Sequence, residues 1–221
     1  KGTPMFVNDE VKQELQTSFA DITRKVSVLV FTREHQCDTC RDTRALLEEV
    51  CAVHPLVRLS HHSMTADAEL AKQYGVAHAP ALVFLDEKGN DTGIRFFGLP
   101  GGYEFTALVS AITLVGTGKA GFTPELEAQI MAISKPVTMK IFVTPTCPYC
   151  PKAVINAHRL AYLNQMIRAE MIEATAFQEL AGKYKVRGVP KTIINEKAFV
   201  EGAVPESQLL EKILQQLQDT Q

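Results

Sequence analysis

In Ile141-Phe-Val-Thr-Pro-Thr-Cys-Pro-Tyr-Cys150, a close pair of cysteines follows directly on a short apolar run. Residues 141–143 are apolar and of the β-branched and aromatic kind, so the stretch opens as a buried strand. Pro145 marks a turn directly after that strand. Two cysteines follow, separated by two residues, at the place where a helix is expected to begin.

The two cysteines suggest a chemistry as well as a structure. We expect Cys147 at the N-cap, Pro148 at the first helical position, where its missing N–H costs nothing, and Cys150 one turn along. This spacing lets the two sulfurs meet, and the free N–H groups and dipole of the helix would stabilise a thiolate on Cys147. The pattern therefore favours thiol–disulfide exchange, in which Cys147 attacks and Cys150 resolves the mixed disulfide.

A second copy of the arrangement lies upstream, in Val28-Leu-Val-Phe-Thr-Arg-Glu-His-Gln-Cys-Asp-Thr-Cys40. Cys37 and Cys147 are 110 positions apart, and a proline follows each of them by 43 residues, at Pro80 and Pro190. Apolar residues also match at this offset: Leu70, Ala71, Tyr74 and Val76 with Leu180, Ala181, Tyr184 and Val186. We interpret the chain as a duplication, with one unit over residues 1–118 and another over residues 119–221.

Each half predicts the same order of elements: helix, β-α-β, helix, β-hairpin, helix. The β-α-β part requires a parallel strand pair with a right-handed crossover, and the hairpin adds antiparallel strands. The predicted fold class is α/β, with a mixed four-stranded sheet flanked by helices in each unit. The Gly-rich segment 115–121 is the expected junction, after which Thr123-Pro124-Glu125 begins a new helix.

Composition excludes several classes of function. Hydrophobic residues make up 46% and charged residues 22% of the 221 residues, as in ordinary globular proteins. The net charge of −2 and the absence of basic blocks argue against nucleic acid, and no apolar run is long enough for a membrane span. Four of the five cysteines form close pairs, and Lys1-Gly2-Thr3-Pro4 lacks the apolar core of a secretory signal. These features favour a cytoplasmic protein with catalytic thiols.

These motifs resemble a known family. A Cys-x-x-Cys after the first strand and a Val-x-x-x-Pro before the hairpin resemble the thioredoxin fold, and Cys147-Pro-Tyr-Cys150 is similar to the glutaredoxin motif. Two such units in tandem resemble the protein disulfide oxidoreductases of thermophilic archaea and bacteria. Gly188-Val189-Pro190 and the stretch Phe97-Gly98-Leu-Pro-Gly-Gly-Tyr-Glu-Phe105 also fit that family.

The resemblance implies a set of site residues and partners. It implies nucleophiles at Cys147 and Cys37, resolving thiols at Cys150 and Cys40, and no bound cofactor beyond the redox-active disulfides Cys37–Cys40 and Cys147–Cys150. It implies cis peptide bonds before two prolines, preceded by residues that offer backbone groups to an extended substrate peptide. The expected substrate-binding residues are Ala79, Pro80, Val189 and Pro190, together with Pro148 and Tyr149. The implied partners are protein or peptide disulfides and, as electron donor, a flavoprotein like thioredoxin reductase.

Two departures distinguish this chain from relatives of that kind. Thioredoxins carry a buried acid six positions before the first cysteine, where this chain has Phe31 and Ile141, so proton transfer must use another group or water. Asp38 lies between the cysteines of the first pair, and a carboxylate disfavours a nearby thiolate. We therefore expect Cys37 to have the higher thiol pKa and its pair the more negative reduction potential.

Alternative functions remain open from the sequence. Two cysteine pairs are also compatible with a four-cysteine zinc site or an iron–sulfur cluster, although each pair opens a helix of its own unit. Tandem thioredoxin folds also precede the flavin domains of alkyl hydroperoxide reductase flavoproteins, whose first repeat lacks a working pair, so the chain could relay electrons to a peroxidase. A peptide-binding chaperone without redox turnover is the third alternative. Cys51 is expected to be a core residue of the first long helix.

Overall fold

The structure is a computed structural model that describes residues 6–219, so the outermost residues of both predicted domains lie outside it. Eight strands and eight α-helices follow one another within this range, with a short 3₁₀ turn at Gly102–Glu104. The first half contains α1 (Asp9–Phe19), β1 (Val26–Thr32), α2 (Cys40–Cys51), β2 (Val57–Ser63), α3 (Ala68–Gln73), β3 (Ala81–Leu85), β4 (Asp91–Phe97) and α4 (Phe105–Thr117). The second half contains α5 (Pro124–Met131), β5 (Val137–Val143), α6 (Cys150–Leu163), β6 (Ile167–Glu173), α7 (Gln178–Lys183), β7 (Lys191–Ile194), β8 (Ala198–Glu201) and α8 (Glu206–Gln218).

The predicted α/β fold class and the duplication are confirmed, but the two sheets are joined into one. The strand order is β2-β1-β3-β4-β6-β5-β7-β8, so each half supplies four neighbouring strands. β4 pairs in parallel with β6, from Ile94 opposite Ala169 to Phe97 opposite Ile172. Sequence periodicity describes each unit separately and did not predict this pairing. The predicted domain boundary at residues 118 and 119 falls between α4 and α5.

The helices after the cysteine motifs begin later than the sequence predicted. α2 begins at Cys40 and α6 at Cys150, so the resolving cysteine is the first helical residue in both units. The prediction of Cys147 at the N-cap was wrong, because residues 148 and 149 form a turn and the N-cap is Tyr149. The Cys150 N–H bonds to the Cys147 carbonyl at 3.4 Å, which closes that turn.

The repeat offset changes by one residue before the cysteines. β1 and β5 begin at Val26 and Val137, 111 positions apart, whereas α2 and α6 keep the offset of 110. The loop between β1 and Cys37 therefore has one residue more than its counterpart, and Gln36 in that loop has a positive φ of 57°. The sequence suggested that Phe31 and Ile141 occupy equivalent positions in the two units. Because of the extra loop residue, they do not. The structural equivalent of Ile141 is Val30, which shares the main core cluster with Ile141.

The joined sheet brings both cysteine motifs to one edge. Cross-strand pairs link Phe31, Ala81, Phe97, Ile172 and Phe142 in a single row through β1, β3, β4, β6 and β5. β1 and β5 are parallel through this chain of pairs, and each motif follows the end of its strand. Four strand spacings of about 4.8 Å place the two motifs roughly 19 Å apart along that edge.

Two apolar clusters cover the faces of the sheet. The larger cluster holds α1, α2, α4, α6 and α8 against one face and includes Cys51, Cys147 and Cys150. The smaller one lies on the other face, under α3 and α7, and contains the row of residues just described. No helix within residues 6–219 combines the length and apolar character needed to cross a membrane.

Candidate active sites

The second motif forms a closed disulfide at the end of β5. Cys147 and Cys150 are bonded through their sulfurs, with their Cα atoms 5.5 Å apart. Cys150 is fully buried and Cys147 is 9% exposed, so Cys147 is the sulfur that a partner reaches first. Pro148 and Tyr149 lie between them at the surface, and Tyr149 is 72% exposed beside the disulfide. Both residues are therefore available at the surface next to Cys147.

The first motif repeats this geometry with a more accessible outer sulfur. Cys37 and Cys40 form a disulfide with their Cα atoms 5.5 Å apart. Cys40 is buried, whereas Cys37 is half-buried and lies on the floor of a groove of about 750 Å³. Asp38, between the two cysteines, is exposed. In both units, then, the first cysteine is the more accessible sulfur and the second is buried.

The expected stabilisation of the outer sulfurs by helix N–H groups is not present in this oxidised form. Among residues 6–219, no backbone N–H donates a hydrogen bond to Cys37 or Cys147 Sγ, because the helices start only at the resolving cysteines. The Arg33 N–H instead donates to Cys40 Sγ, at 3.4 Å. Any stabilisation of the attacking thiolate by the helix must come from the dipole of its first turn.

A cis-proline loop faces each motif. The Ala79–Pro80 and Val189–Pro190 peptide bonds are cis, as the resemblance implied. Cys147 Sγ lies 3.8 Å from the Val189 carbonyl oxygen, and Ala79 and Pro80 line the groove that contains Cys37. Within the described range, the N–H groups of Ala79 and Val189 have no acceptor in the protein. These donors are therefore free to pair with an extended peptide.

A buried carboxylate beside the second motif was missed from the sequence. Glu104 is 1% exposed, and neither carboxylate oxygen has a hydrogen-bond partner. Burial raises its pKa from 4.5 to about 8. It ends the 3₁₀ turn that packs against α6, the helix that Cys150 begins. Sequence offered one signal, an acid between Tyr103 and an apolar helix, but only the joining of the units brings it to the second motif.

The turn that carries Glu104 is fixed to the loop of the second motif. The Tyr103 N–H donates to the Pro145 carbonyl at 2.9 Å. A Cβ on Gly102, which has a φ of +58°, would lie 2.3 Å from that same oxygen. Only glycine allows this close approach. Residues of the first unit therefore contact the loop that precedes the second disulfide.

The arrangement of the four paired cysteines fits two disulfides and not one shared metal site. A four-cysteine metal site would require all four sulfurs to converge, whereas each pair closes as a disulfide within its own motif. Among residues 6–219, no group of three or more His, Cys, Asp or Glu side chains is arranged to hold a metal ion. Cys51 is a buried free thiol, and burial raises its pKa to about 12, so it is a core residue as predicted.

Comparison with known proteins supports this description. The family model for a thioredoxin domain matches residues 137–215. The NTD_N/C domain of the alkyl hydroperoxide reductase AhpF from Enterococcus faecalis superimposes with a TM-score of 0.89 at 29% identity, over 94% of this chain and 100% of that one. A protein disulfide oxidoreductase from Aeropyrum pernix superimposes with a TM-score of 0.87 at 28% identity, over 96% of this chain and 94% of that one.

Curated relatives extend well beyond the region of similarity. An alkyl hydroperoxide reductase protein of Pseudomonas putida is 26% identical over 203 residues, which are 92% of this chain and 36% of that protein. The chain thus spans about a third of the length of this relative. Each of the two units holds a disulfide beside a cis-proline loop. The chain is therefore a tandem thioredoxin-fold protein with a Cys-x-x-Cys motif in each unit.

Proposed function

We propose that the chain is a protein thiol–disulfide oxidoreductase that exchanges disulfides at both motifs. The observation that carries this proposal is the pairing of each disulfide with a cis-proline loop whose backbone N–H lacks a protein acceptor. Such a loop binds peptide backbone next to the attacking sulfur, so the expected substrates are proteins or peptides. Ala79, Pro80, Val189 and Pro190, with Pro148 and Tyr149, form the proposed substrate-binding surface.

In the reducing direction, each exchange has two steps. The Cys147 thiolate attacks one sulfur of a substrate disulfide, which forms a mixed disulfide and releases the other substrate sulfur as a thiolate. Cys150 then attacks Cys147 Sγ, which releases the second substrate thiolate and leaves the Cys147–Cys150 disulfide. Cys37 and Cys40 perform the same two steps at the first motif. A dithiol donor then restores each pair, and the reverse sequence oxidises a substrate.

Glu104 is the proposed proton carrier at the second motif. Cys150 must lose its thiol proton before it attacks, and the departing substrate thiolate must gain one. A carboxylic acid with a pKa of about 8 matches the usual range of a thiol, so proton transfer between them is nearly balanced in free energy. The position of Glu104, in a turn that packs against α6, supports this role.

The proposed electron donor is a flavoprotein like thioredoxin reductase. Several curated relatives are named alkyl hydroperoxide reductase or NADH dehydrogenase, and this chain matches only part of each. This similarity supports a reductase partner, supplied by a separate protein or by a longer chain. The pairing of catalytic cysteines supports the proposal of a cytoplasmic location, where thiols are kept reduced.

A second candidate function is electron relay to a peroxidase. It is favoured by the similarity to alkyl hydroperoxide reductase proteins at 26% and 29% identity. Relay through a single pair would leave the other pair dispensable, and it would make one peroxidase disulfide a far better substrate than other proteins. The protein-disulfide function instead predicts that both pairs reduce unrelated disulfides.

Insulin reduction driven by dithiothreitol tests the proposal. We expect the wild-type chain to accelerate insulin precipitation, each single nucleophile variant to retain part of the rate, and Cys37→Ser combined with Cys147→Ser to lose it. An unchanged rate in the double variant would reject disulfide exchange at both motifs. Reduction of a peroxidase disulfide, but not of insulin, would favour the relay.

A further inference from the structure

The groove at the first motif is built from both units. Cys37, His78, Ala79 and Pro80 form one side, and Glu173 with residues 175–180 of the second unit form the other. This follows from the joined sheet, because β6 lies next to β4 and the segment after β6 therefore extends past the first cis-proline loop. The groove is therefore a feature of the full chain and of neither unit alone.

Direct contacts hold the two sides together. The Phe177 ring lies 5.4 Å from the His78 ring, and the His78 ring lies 6.1 Å from Phe97. A Cβ on Gly98 would lie 2.6 Å from the Glu173 Cβ and 3.6 Å from the Phe177 Cε2. The chain after β4 therefore fits closely against the segment after β6, and Phe177 projects beside the residue that precedes Ala79.

The segment that carries Phe177 is ordered by its own hydrogen bonds. The buried Glu173 carboxylate accepts bonds from the Thr175 and Ala176 N–H groups, both at 2.9 Å, and from the Thr175 hydroxyl. The Phe177 N–H donates to the Glu173 carbonyl at 3.1 Å. Glu173 thus shapes the side of the groove that the second unit forms, and its carboxylate is already hydrogen-bonded. The large apolar side chains on that side are Phe177 and Leu180, both half-buried, and we call these two residues the apolar wall.

We propose that Phe177 and Leu180 form a side-chain pocket for substrates of the first motif, and that it selects extended disulfide peptides with an apolar residue beside the cysteine. The inference rests on the proposed exchange function and names the substrate class of one site. A peptide paired with the backbone of Ala79 would place the side chain next to its cysteine against this wall.

Four charged residues line the groove. Arg33 and Asp38 lie on one side and Glu173 and Glu179 on the other, one basic against three acidic groups, but the Glu173 carboxylate is buried and hydrogen-bonded within its own segment. Burial and the nearby Arg33 lower the pKa of His78, which keeps its imidazole neutral near pH 7. The surface that remains for selection is the apolar wall.

The second motif has no comparable wall within the described residues. Its loop has Gly188 at the position of His78, and a Cβ built on Gly188 would have no atom within 4 Å. The strands beyond it, β7 and β8, form the edge of the sheet. The two motifs are therefore expected to differ in which peptides they select, although their cysteine geometry is alike.

The test uses the full chain with only the first pair active, as in the Cys147→Ser/Cys150→Ser protein. The probes are two disulfide-linked peptides that differ only in Leu or Ser beside the cysteine, and hydroxyethyl disulfide as a small substrate. We expect Phe177→Ala to lower kcat/KM for the Leu peptide by about tenfold, mainly through KM, because apolar burial is lost. The Ser peptide and the small disulfide should change less than twofold.

Matched variants separate this pocket from a general structural effect. Phe177→Leu should restore most of the Leu-peptide rate, and Leu180→Ala should repeat the loss independently. Phe199→Ala removes a ring that is 52% exposed on β8, and it should change nothing. Phe177→Ala should also leave the second motif unaffected in the Cys37→Ser/Cys40→Ser protein.

Two results would overturn the inference in distinguishable ways. An unchanged rate with the Leu peptide, or an equal loss with hydroxyethyl disulfide, would show that Phe177 does not select substrates while exchange at Cys37 still stands. A first-motif protein that reduces none of the three probes would contradict the proposed function of that motif and the inference with it.

Discussion

Glu104 connects the pH dependence of stability to that of exchange at the second motif. Its carboxyl is buried, and its pKa is raised to about 8 in the folded chain, so the folded state keeps a proton that the unfolded state loses above about pH 4.5. The contribution of Glu104 to the free energy of unfolding is therefore greatest below pH 4.5. It declines by roughly 1.4 kcal/mol per pH unit until about pH 8.

We expect Glu104→Gln to remove this decline. In chemical denaturation from pH 5 to pH 8, the free energy of unfolding of the variant should rise relative to that of the wild type as the pH increases. Exchange at Cys147 should slow because the proton carrier is lost. Exchange at Cys37 in the same variant is the control. Parallel stability curves for the two proteins would show that Glu104 is not protonated as the buried geometry implies.

Substitution of Asp38 tests whether the two cysteine pairs differ in reduction potential. An exposed carboxylate between the cysteines should destabilise the Cys37 thiolate and make the first pair the more negative one. Asp38→Asn should raise that potential by on the order of 10–20 mV, because solvent screens the charge. Redox titration of proteins with a single active pair measures it, with the second pair as reference. Equal potentials, or the reverse order, would reject the hypothesis.

Glycine at position 102 is required by the contact between the 3₁₀ turn and the second motif. Gly102→Ala would place a Cβ 2.3 Å from the Pro145 carbonyl oxygen at a φ of +58°. Gly89→Ala is the matched control, since Gly89 has a φ of +83° but no atom within 4 Å of that Cβ. Both variants should lose about 1 kcal/mol from backbone strain, and Gly102→Ala should lose more because its Cβ also clashes with a backbone oxygen. Only Gly102→Ala should also slow exchange at Cys147, and equal activity in both would show that the contact is unimportant.

Helix α6 is attached to β4 through a buried histidine that must remain neutral. His158 Nε2 lies 3.2 Å from the Arg95 carbonyl, and burial lowers the His158 pKa to about 3. The unfolded chain binds a proton below pH 6.5 that the folded chain does not, so stability should fall by roughly 1.4 kcal/mol per pH unit from about pH 6 towards pH 3.

Substitution of His158 isolates this contribution. His158→Gln keeps a donor for the Arg95 carbonyl and cannot titrate, so its stability should depend less on pH below 6 even if it is lower at pH 7. Denaturation midpoints at pH 4, 5, 6 and 7 measure the slope. The same acid slope in both proteins would show that other groups cause it.

The elements were easier to predict from sequence than their boundaries. Apolar periodicity identified the strands and helices because these depend on local pattern. The repeated Cys-to-Pro spacing located Pro80 and Pro190, and the family resemblance implied that their peptide bonds are cis. The sequence offset between the two repeats changes by one in the loop before Cys37. Gln36 in that loop has a positive φ, which accommodates the extra residue. A gap-free comparison could not detect this, so Phe31 was aligned with the wrong face of the sheet.

At the scale of the whole molecule, the sheet junction gives each active site residues from both units. The β4–β6 pairing places Glu104 of the first unit beside the second motif and Phe177 of the second unit beside the first. No periodicity within one repeat encodes such contacts, which is why neither residue was predicted. The junction also accounts for the close-fitting glycines at positions 98 and 102.

Separation of the units should therefore cost both stability and activity. Fragments 1–118 and 119–221 would each expose a β edge and part of the apolar row through Phe97 and Ile172. We expect each fragment to unfold at lower denaturant concentration than the full chain and to associate in solution. Sizing and denaturation of the fragments, alone and mixed, provide the measurement. Monomeric fragments as stable as the full chain would make the junction incidental.

The proposed exchange requires Cys147 and Cys37 each to attack a substrate disulfide and the following cysteine to release it. Its most direct test is mass spectrometry of mixed disulfides trapped by the Cys40→Ser/Cys150→Ser protein with a disulfide peptide. We expect one peptide on Cys147 and one on Cys37, both removed by dithiothreitol. Peptide absent from both cysteines, or bound to Cys51 instead, would contradict it.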